Sequence, residues 1–274
     1  MGMYKKAKDT IKNADAIIIT TGAGMGVDSG LPDFRGNSGF WKEYPTISHL
    51  GISFSEMANP RWFQENPKLA WAFYGHRYNL YNTIKPHVGF SKLLELGNSK
   101  EFGYFVFTSN VDGQFQQAGF SNDNIEEVHG SINHLQCSVP CSSEIWEVKD
   151  LNIKIDAKLF EAQEPLPKCP KCGAIARPNI LMFGDWNWLP QRSEKQSSNF
   201  YYWQRKLKEN NAKPVIIEIG AGRAVPTVRM KSKRLAEEFN ATLIRINPRD
   251  FQISGNINGI EIPTGALGGI ANII

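Results

Sequence analysis

The chain has 274 residues, of which 41% are hydrophobic and 21% charged, so it is long enough for a large α/β domain with a smaller insertion. Its 31 basic and 27 acidic residues leave a net charge of +4, which does not indicate a nucleic-acid-binding protein. No apolar run approaches the length of a membrane span, and the charged amino terminus lacks the apolar core of a signal peptide. We therefore expect a cytoplasmic protein with no membrane partner and no specific nucleic acid.

Five segments are predicted to be strands, at residues 16–20, 103–108, 125–128, 215–219 and 242–246. Apolar residues at helical spacing predict helices at residues 3–13, 67–82, 90–96 and 227–239. Because strands alternate with helices, we predict an α/β fold with a Rossmann-like, doubly wound parallel sheet, whose ligands bind outside the carboxyl ends of the strands. Two segments interrupt the alternation, the aromatic-rich residues 37–85 and the cysteine-containing residues 131–179. We interpret them as insertions that form a smaller domain.

The first apolar run leads directly into a glycine turn, Gly22-Ala23-Gly24. Glycines at that point let the backbone approach a pyrophosphate closely, so we predict a phosphate-binding turn. The dinucleotide fingerprint is incomplete, because Val27 stands at the third glycine position and no acidic residue ends a second strand, which argues against a dehydrogenase. The chain continues through Pro32-Asp33-Phe34-Arg35, a sequence suited to a loop that closes over a ligand. A glycine-rich turn without a ligand is the alternative.

All four cysteines of the chain belong to one pattern. Cys137 and Cys141 form a close pair, and Cys169 and Cys172 form a second pair after a gap of 27 residues. Two close pairs separated by a loop are typical of tetrahedral zinc coordination, and four thiolates leave no open position for catalysis. We therefore predict a structural zinc site. Two disulfides are the alternative, which the absence of an export signal disfavours.

One of the five histidines, His129, lies in a setting that suggests chemistry. It ends a short predicted strand, precedes a glycine and follows the loop that carries Asn110 and Asp112. A histidine at that position can act as a general base near neutral pH. Taken without its neighbours, His129 is more consistent with a packing role.

Taken in chain order, these motifs resemble those of the sirtuin family of NAD-dependent protein deacylases, and the resemblance covers nearly the whole chain. The matching segments are residues 22–36, 108–113, 127–130, the four cysteines, 177–185, 220–222 and 246–247. The resemblance implies an NAD-binding domain and a small domain. The NAD-binding domain comprises residues 1–36, 86–130 and 180–274. In the small domain, residues 37–85 are a helical insertion and residues 131–179 a zinc module.

The resemblance also implies NAD as co-substrate, a structural Zn²⁺ ion and release of nicotinamide and O-acyl-ADP-ribose. It assigns catalysis to Asn110, Asp112 and His129, with His129 taking a proton from a ribose hydroxyl. The cofactor contacts that it implies are Gly22, Ala23, Gly24, Asp33, Phe34, Arg35, Ser109, Asn110, Asp112, Gly220, Ala221, Gly222 and Asn247.

The substrates implied by the resemblance are acyl-lysine proteins or peptides. Tyr74 and Arg77 stand one helical turn apart, as in the branch of the family that removes succinyl, malonyl or glutaryl groups, and a guanidinium can bind a terminal carboxylate through two hydrogen bonds. A packed tyrosine beside a surface arginine is the alternative. Phe183, Gly184 and Val225 match the segments that hold the peptide backbone.

Several positions depart from the family pattern. Gly26 replaces a serine, Ser109 a glutamine, and Ala221-Gly222 a Thr-Ser pair; Gln114-Phe115 stands where the family has Leu-His. Because some of these changes remove hydroxyl groups near the expected cofactor, ADP-ribosyl transfer or NAD hydrolysis on the same fold stays open as an alternative. A non-catalytic NAD sensor is disfavoured, since His129 is retained together with its partners.

Overall fold

A computed structural model describes residues 2–32, 44, 45, 51–148 and 151–274. Asp33, Phe34 and Arg35, which the sequence predicts to cover the cofactor, lie outside the described residues. Within the described part of the chain, no helix combines the length and the apolar character that crossing a bilayer requires.

The strands of the described residues are β1 (Ala16–Thr21), β2 (Tyr104–Thr108), β3 (Ile125–Glu127), β4 (Gly130–Cys137), β5 (Ile145–Glu147), β6 (Ile155–Asp156), β7 (Glu161–Ala162), β8 (Ala176–Ile180), β9 (Pro214–Ile219), β10 (Leu243–Ile246) and β11 (Gly259–Ile262). The α-helices are α1 (Met3–Lys12), α2 (Gly24–Val27), α3 (Phe54–Met57), α4 (Trp62–Glu65), α5 (Pro67–Thr83), α6 (Val88–Asn98), α7 (Gln114–Gln117), α8 (Gln191–Glu209), α9 (Thr227–Glu238) and α10 (Ala266–Ile273).

Six strands form one sheet in the order β11-β10-β9-β1-β2-β3, and every neighbouring pair is parallel. The predicted Rossmann-like sheet is therefore confirmed, with β11 as an additional edge strand that the sequence did not predict. In this order β1 lies between β2 and β9, so the turns that leave these three strands meet at the same edge of the sheet.

The sheet is buried on both faces, as expected for parallel strands covered by helices. Every residue of β1 is buried, and because side chains alternate along a strand, Ile17 and Ile19 pack into one hydrophobic core while Ile18 packs into another. The first core includes Phe90 of α6, and the second includes Phe200 of α8. Each such fully buried side chain contributes about 1.5–3 kcal/mol to stability.

A third hydrophobic core joins the two insertions. Trp71 and Phe73 of α5 pack in it together with Leu135 of β4 and Ala176 of β8. The indole Nε1 of Trp71 donates a hydrogen bond to the carbonyl oxygen of Ala176 at 3.0 Å, which satisfies the only polar atom of that buried side chain. The helical insertion and the cysteine-bearing strands therefore stabilise each other.

Candidate active site

Two glycine turns are packed against each other where β1 and β9 end. Gly220 has φ +65°, and a Cβ atom there would lie 2.4 Å from the carbonyl carbon of Gly24. A Cβ atom on Gly22 would lie 2.9 Å from the Cα atom of Ala221. The backbone N–H of Gly24 donates to the carbonyl oxygen of Gly220 at 3.1 Å, which fixes the contact. Glycine is thus required at positions 22 and 220 because two backbones approach closely.

The same edge also offers backbone that is open to a ligand. Ala23 is exposed between the two packed glycines of the first turn. Gly222 has no atom within 4 Å of the place where its Cβ atom would be. Backbone N–H groups in such turns can donate hydrogen bonds to phosphate oxygens. The exposed backbone at these two positions is therefore compatible with the predicted phosphate-binding turn.

Asn110 is held by hydrogen bonds to both neighbouring strands. Its backbone N–H donates to Oγ1 of Thr108 at 3.0 Å, and its side-chain Nδ2 donates to the carbonyl oxygen of Gly22 at 3.1 Å. The Thr21 hydroxyl donates in turn to Oγ1 of Thr108 at 2.8 Å. The backbone N–H of Ser109 donates to the carbonyl oxygen of Thr21 at 3.1 Å. The loop after β2 is therefore positioned directly by the strand that carries the first glycine turn.

Asp112 is a buried carboxyl group in the same loop. Its Oδ1 accepts a hydrogen bond from the backbone N–H of Gln114 at 2.9 Å, across Gly113, which takes a left-handed conformation with φ +74°. Burial raises the pKa of Asp112 to about 6, the charge of Glu127 acts in the same direction, and that of Arg77 opposes it. Asp112 is therefore mostly ionised at neutral pH and accepts hydrogen bonds there, and it becomes protonated at a higher pH than an ordinary aspartate does.

His129 lies half-buried between the end of β3 and the start of β4. Its Nε2 atom is 3.5 Å from Oγ1 of Thr227, the first residue of α9. Burial lowers the pKa of His129, while a hydrogen bond with the backbone of Ser109 opposes the shift. The imidazole is therefore neutral at neutral pH and can accept a proton.

Thr227 was missed by the sequence analysis. It is separated from His129 by almost a hundred positions, and the local signal is Val225, two residues earlier, which matches a segment that holds the peptide backbone.

The predicted peptide-binding segment is organised around one buried carboxylate, that of Asp185. Nη1 and Nη2 of Arg177 donate to it at 2.8 and 2.9 Å, and the backbone N–H groups of Met182 and Asn187 donate to it at 3.3 and 3.2 Å. This arrangement leaves the Phe183 side chain 44% exposed. The loop therefore has a rigid interior and an apolar surface.

The peptide segment is also tied to its surroundings through the backbone. The N–H of Phe183 donates to the carbonyl oxygen of Ala58 at 2.9 Å, and Nδ2 of Asn59 donates to the carbonyl oxygen of Phe183 at 3.0 Å. The N–H of Leu181 donates to the carbonyl oxygen of His129 at 3.0 Å, so the segment begins beside the candidate base.

Tyr74 and Arg77 are both buried in the helical insertion, so Arg77 is not the surface side chain of the alternative interpretation. Nε and Nη2 of Arg77 donate to the Tyr81 hydroxyl at 3.0 and 2.8 Å, and its guanidinium lies 5.3 Å from the ring centroid of Phe73. The positive charge of Arg77 also lowers the pKa of Asp112. The predicted acyl-binding pair and the candidate catalytic loop are therefore electrostatic neighbours.

The four cysteines come together with the geometry of a zinc site. Their Sγ atoms all lie within 4.8 Å of one another, with 3.6 Å between Cys137 and Cys172 and 3.6 Å between Cys141 and Cys169. A tetrahedron with Zn–S bonds of about 2.3 Å has edges of about 3.8 Å, so the thiols fit Zn²⁺. All four are free thiols, as zinc requires and the disulfide alternative does not allow.

Asn247, at the end of β10, is fully buried. Its Nδ2 donates to the carbonyl oxygen of Ala221 at 2.8 Å, and its Oδ1 accepts from the backbone N–H groups of Arg249 and Asp250 at 3.0 and 3.0 Å. The side chain therefore links the loop after β10 to the second glycine turn. Its contact with a ribose stays a prediction.

Comparisons with known proteins agree with this site. Residues 22–200 match the Sir2 family. The NAD-dependent protein deacylase 1 of Caldanaerobacter subterraneus subsp. tengcongensis is 30% identical over 92% of this chain and 90% of its own length. The NAD-dependent protein deacylase of Pyrococcus abyssi is 32% identical over 89% of this chain and 84% of its own.

Solved structures show the same fold. A Sir2 homologue in complex with NAD has a TM-score of 0.70 at 26% identity, over 98% of this chain and 92% of the homologue. A mutant Sir2 homologue in complex with ADP-ribose has a TM-score of 0.70 at 26% identity, over 98% and 96%.

Fold and site together define an NAD-dependent enzyme with a structural zinc module. The chain belongs to the Sir2 family, and it is an enzyme of the NAD-dependent protein deacylase class. The predictions of the family, of the fold, and of NAD and zinc as cofactors are thereby confirmed.

Proposed function

We propose that this enzyme removes acyl groups from lysine side chains of proteins or peptides, with a preference for acyl chains that end in a carboxylate, such as succinyl and malonyl. The observation that carries the preference is the burial of Arg77 beside Tyr74, close enough to Asp112 for its charge to act on that carboxyl group. Nicotinamide and O-acyl-ADP-ribose are the products.

NAD is proposed to bind along the carboxyl edge of the parallel sheet. The exposed backbone at Ala23 and the open side of Gly222 support phosphate binding there. Asn110 is held at the edge of this space by Gly22 and offers its amide oxygen to a ribose hydroxyl, and Asp112 offers its carboxyl group to the nicotinamide carboxamide. When bound, NAD supplies a nicotinamide–ribose bond whose cleavage makes the sugar carbon reactive toward the acyl oxygen.

His129 is proposed as the general base. Its lowered pKa keeps the imidazole neutral at neutral pH, so its unprotonated ring nitrogen can take the proton of a ribose hydroxyl. The Thr227 hydroxyl, 3.5 Å from Nε2, restricts the orientation of the ring. A base in this position contributes typically 10²–10⁴ in rate.

The peptide substrate is proposed to lie against Phe183 and Gly184 on one side and Val225 on the other. Phe183 is 44% exposed and Val225 is 47% exposed, so both offer apolar surface outside the cores. Recognition through the backbone of an extended peptide gives affinity with little sequence selection, and a deacylase with many protein substrates needs that property.

The acyl chain is proposed to end at the guanidinium of Arg77. Tyr81 accepts from the edge formed by Nε and Nη2, which fixes the plane of the group. A guanidinium held in this way is a charged donor group that suits the carboxylate at the end of an acyl chain. A charge-assisted pair of this kind is worth about 1.5–3 kcal/mol, or about ten- to a hundredfold in kcat/KM.

The test is a set of peptides that carry acetyl-, malonyl- or succinyl-lysine, incubated with NAD and followed by mass spectrometry. Arg77→Met should reduce the ratio of desuccinylation to deacetylation about ten- to a hundredfold, because an acetyl group has no carboxylate and any effect through Asp112 acts on both substrates alike. Arg61→Met is the matched control, since Arg61 is half-exposed and pairs only loosely with Glu65 at 3.9 Å. Equal losses on both substrates would assign Arg77 to folding instead.

ADP-ribosyl transfer or NAD hydrolysis is the second candidate function, and the open space beside Gly222, where the family has a hydroxyl group, is the observation that favours it. The same mass spectra distinguish the two activities, because ADP-ribosylation of an unacylated peptide adds mass whereas deacylation removes it.

A further inference from the structure

Gln114 is a fully buried glutamine whose side-chain amide is not used by the protein. Neither its Nε2 nor its Oε1 has a hydrogen-bond partner among the described residues, and the residue is 0% exposed. Its backbone is satisfied, since its N–H donates to Asp112 and its carbonyl oxygen accepts from Ala118 at 3.0 Å. Burying an amide without partners costs stability, so such a group is expected where a bound molecule satisfies it.

The amide lies against helix α2, which begins at Gly24 of the first glycine turn. Its Oε1 would be 3.4 Å from a Cβ atom on Gly26, and Cδ1 of Leu31 would be 2.8 Å from the same atom. The carboxamide of Gln114 therefore borders the space that a side chain at position 26 would need. The family pattern has a serine at position 26 and a leucine at position 114. This chain has a glycine at position 26 and a glutamine at position 114, so its polar side chain stands at the second position instead of the first.

We propose that Gln114 is a specificity-determining residue that recognises the carboxamide group of NAD, next to Asp112. This inference rests on the proposed role of Asp112 in the NAD site. An ionised Asp112 can only accept, so it pairs with the NH₂ group of a carboxamide and leaves the carboxamide oxygen without a donor. Gln114 is the first residue of α7 and lies two residues after Asp112. Its side-chain Nε2 supplies the missing donor. A primary amide and a carboxylate acceptor together match a carboxamide and reject a carboxylic acid.

The test compares ligands that do and do not carry the carboxamide, by calorimetric titration. Gln114→Leu should weaken binding of NAD and of free nicotinamide about three- to tenfold, the effect of one neutral hydrogen bond. Binding of ADP-ribose, which has no carboxamide, should not change. Gln116→Leu is the matched control on the same short helix, and it should leave all three affinities unchanged.

The ligand-free stability of the variant gives an independent readout. Because Gln114→Leu replaces an unsatisfied buried amide with an apolar side chain of similar size, the Tm should stay the same or rise while NAD affinity falls. A structural role would lower both together.

A second variant tests the exchange between the two positions. Gly26→Ser alone should weaken NAD binding, because the new side chain meets Leu31 and Gln114. The double variant Gly26→Ser/Gln114→Leu should bind NAD more tightly than the Gly26→Ser variant, since it removes one of the two contacts and restores a hydroxyl.

Three results would overturn the inference: NAD affinity unchanged in Gln114→Leu, an equal loss for ADP-ribose, or a lower Tm with lower affinity. In each case the wild-type protein still binds NAD, so the proposed function stands. If the wild-type protein bound no NAD, both would fall.

Discussion

The side-chain amide of Asn110 donates a hydrogen bond to the carbonyl oxygen of Gly22 across 3.1 Å. This single bond connects the loop after β2 with the glycine turn after β1, at the centre of the parallel sheet. Asn110→Ala should therefore loosen both loops and remove the proposed ribose contact, with NAD affinity reduced about tenfold and turnover reduced further. Calorimetric NAD titration and steady-state kinetics measure the two effects. NAD affinity equal to that of the wild type would show that the bond does not position the cofactor site.

Replacement of His129 tests the proposed base. His129→Ala should keep NAD binding but reduce deacylation about 10²- to 10⁴-fold, since the ribose hydroxyl loses its proton acceptor. His134→Ala is the control, because His134 lies in β4 and has no proposed role in the reaction. Near-normal turnover of the His129 variant would remove this residue from the mechanism.

Ionised Asp112 is expected to lower the stability of the ligand-free protein while it contributes to NAD binding. Its pKa of about 6 in the folded state exceeds the ordinary value of an aspartate, about 3.9, so the folded state binds the proton more tightly and the stability of the protein falls as pH rises through this range. Asp112→Asn should therefore stabilise the ligand-free protein by roughly 2–3 kcal/mol above pH 6 and by much less near pH 4. The same variant should bind NAD more weakly. Denaturant unfolding at two pH values measures the difference, and a destabilised variant at both would refute the expectation.

Removal of the metal should affect the small domain first. Cys141→Ser leaves three thiolates, so zinc affinity should drop and the Tm should fall by roughly 10 °C or more. Metal analysis and thermal unfolding measure both quantities, with Ser143→Ala, a neighbouring exposed position, as control. A variant that retains one equivalent of zinc and the wild-type Tm would show that the metal is not held by these cysteines.

The features that the sequence predicted correctly, the central strands and the zinc site, depend on residues that are close together in the chain. The sequence identified β1, β2, β3, β9 and β10 to within one or two residues. For β1, β2, β9 and β10 the signal was a mainly apolar run, which a strand buried on both faces needs. The zinc site was predicted from spacing because each cysteine pair is local.

What the sequence did not predict depends on tertiary contacts. Helix α8 was missed because two of its four buried residues are polar, Ser193 and Gln196, so it has no apolar stripe. The Ser193 hydroxyl and the Gln196 amide bind the backbone of Glu127, at 2.9 and 3.0 Å. Such polar contacts, like the pairing of Thr227 with His129, are specified only when distant segments meet.

Arg177 and Asp185 allow the peptide-binding segment to be tested separately from the catalytic loop. Both side chains are buried, at 1% and 0% exposure, and Asp185→Asn leaves the guanidinium without its counter-charge. The loss of one partner of a buried ion pair costs about 3–5 kcal/mol, part of which loosens the loop from Met182 to Asn187. We expect a lower Tm and a higher KM for acyl-peptide, with NAD affinity nearly unchanged because the glycine turns are not involved. Glu144→Gln is the control, since the exposed pair of Glu144 with Lys171 is worth at most about 1 kcal/mol. Loss of NAD affinity in step with peptide binding would show that the two halves of the site are not independent.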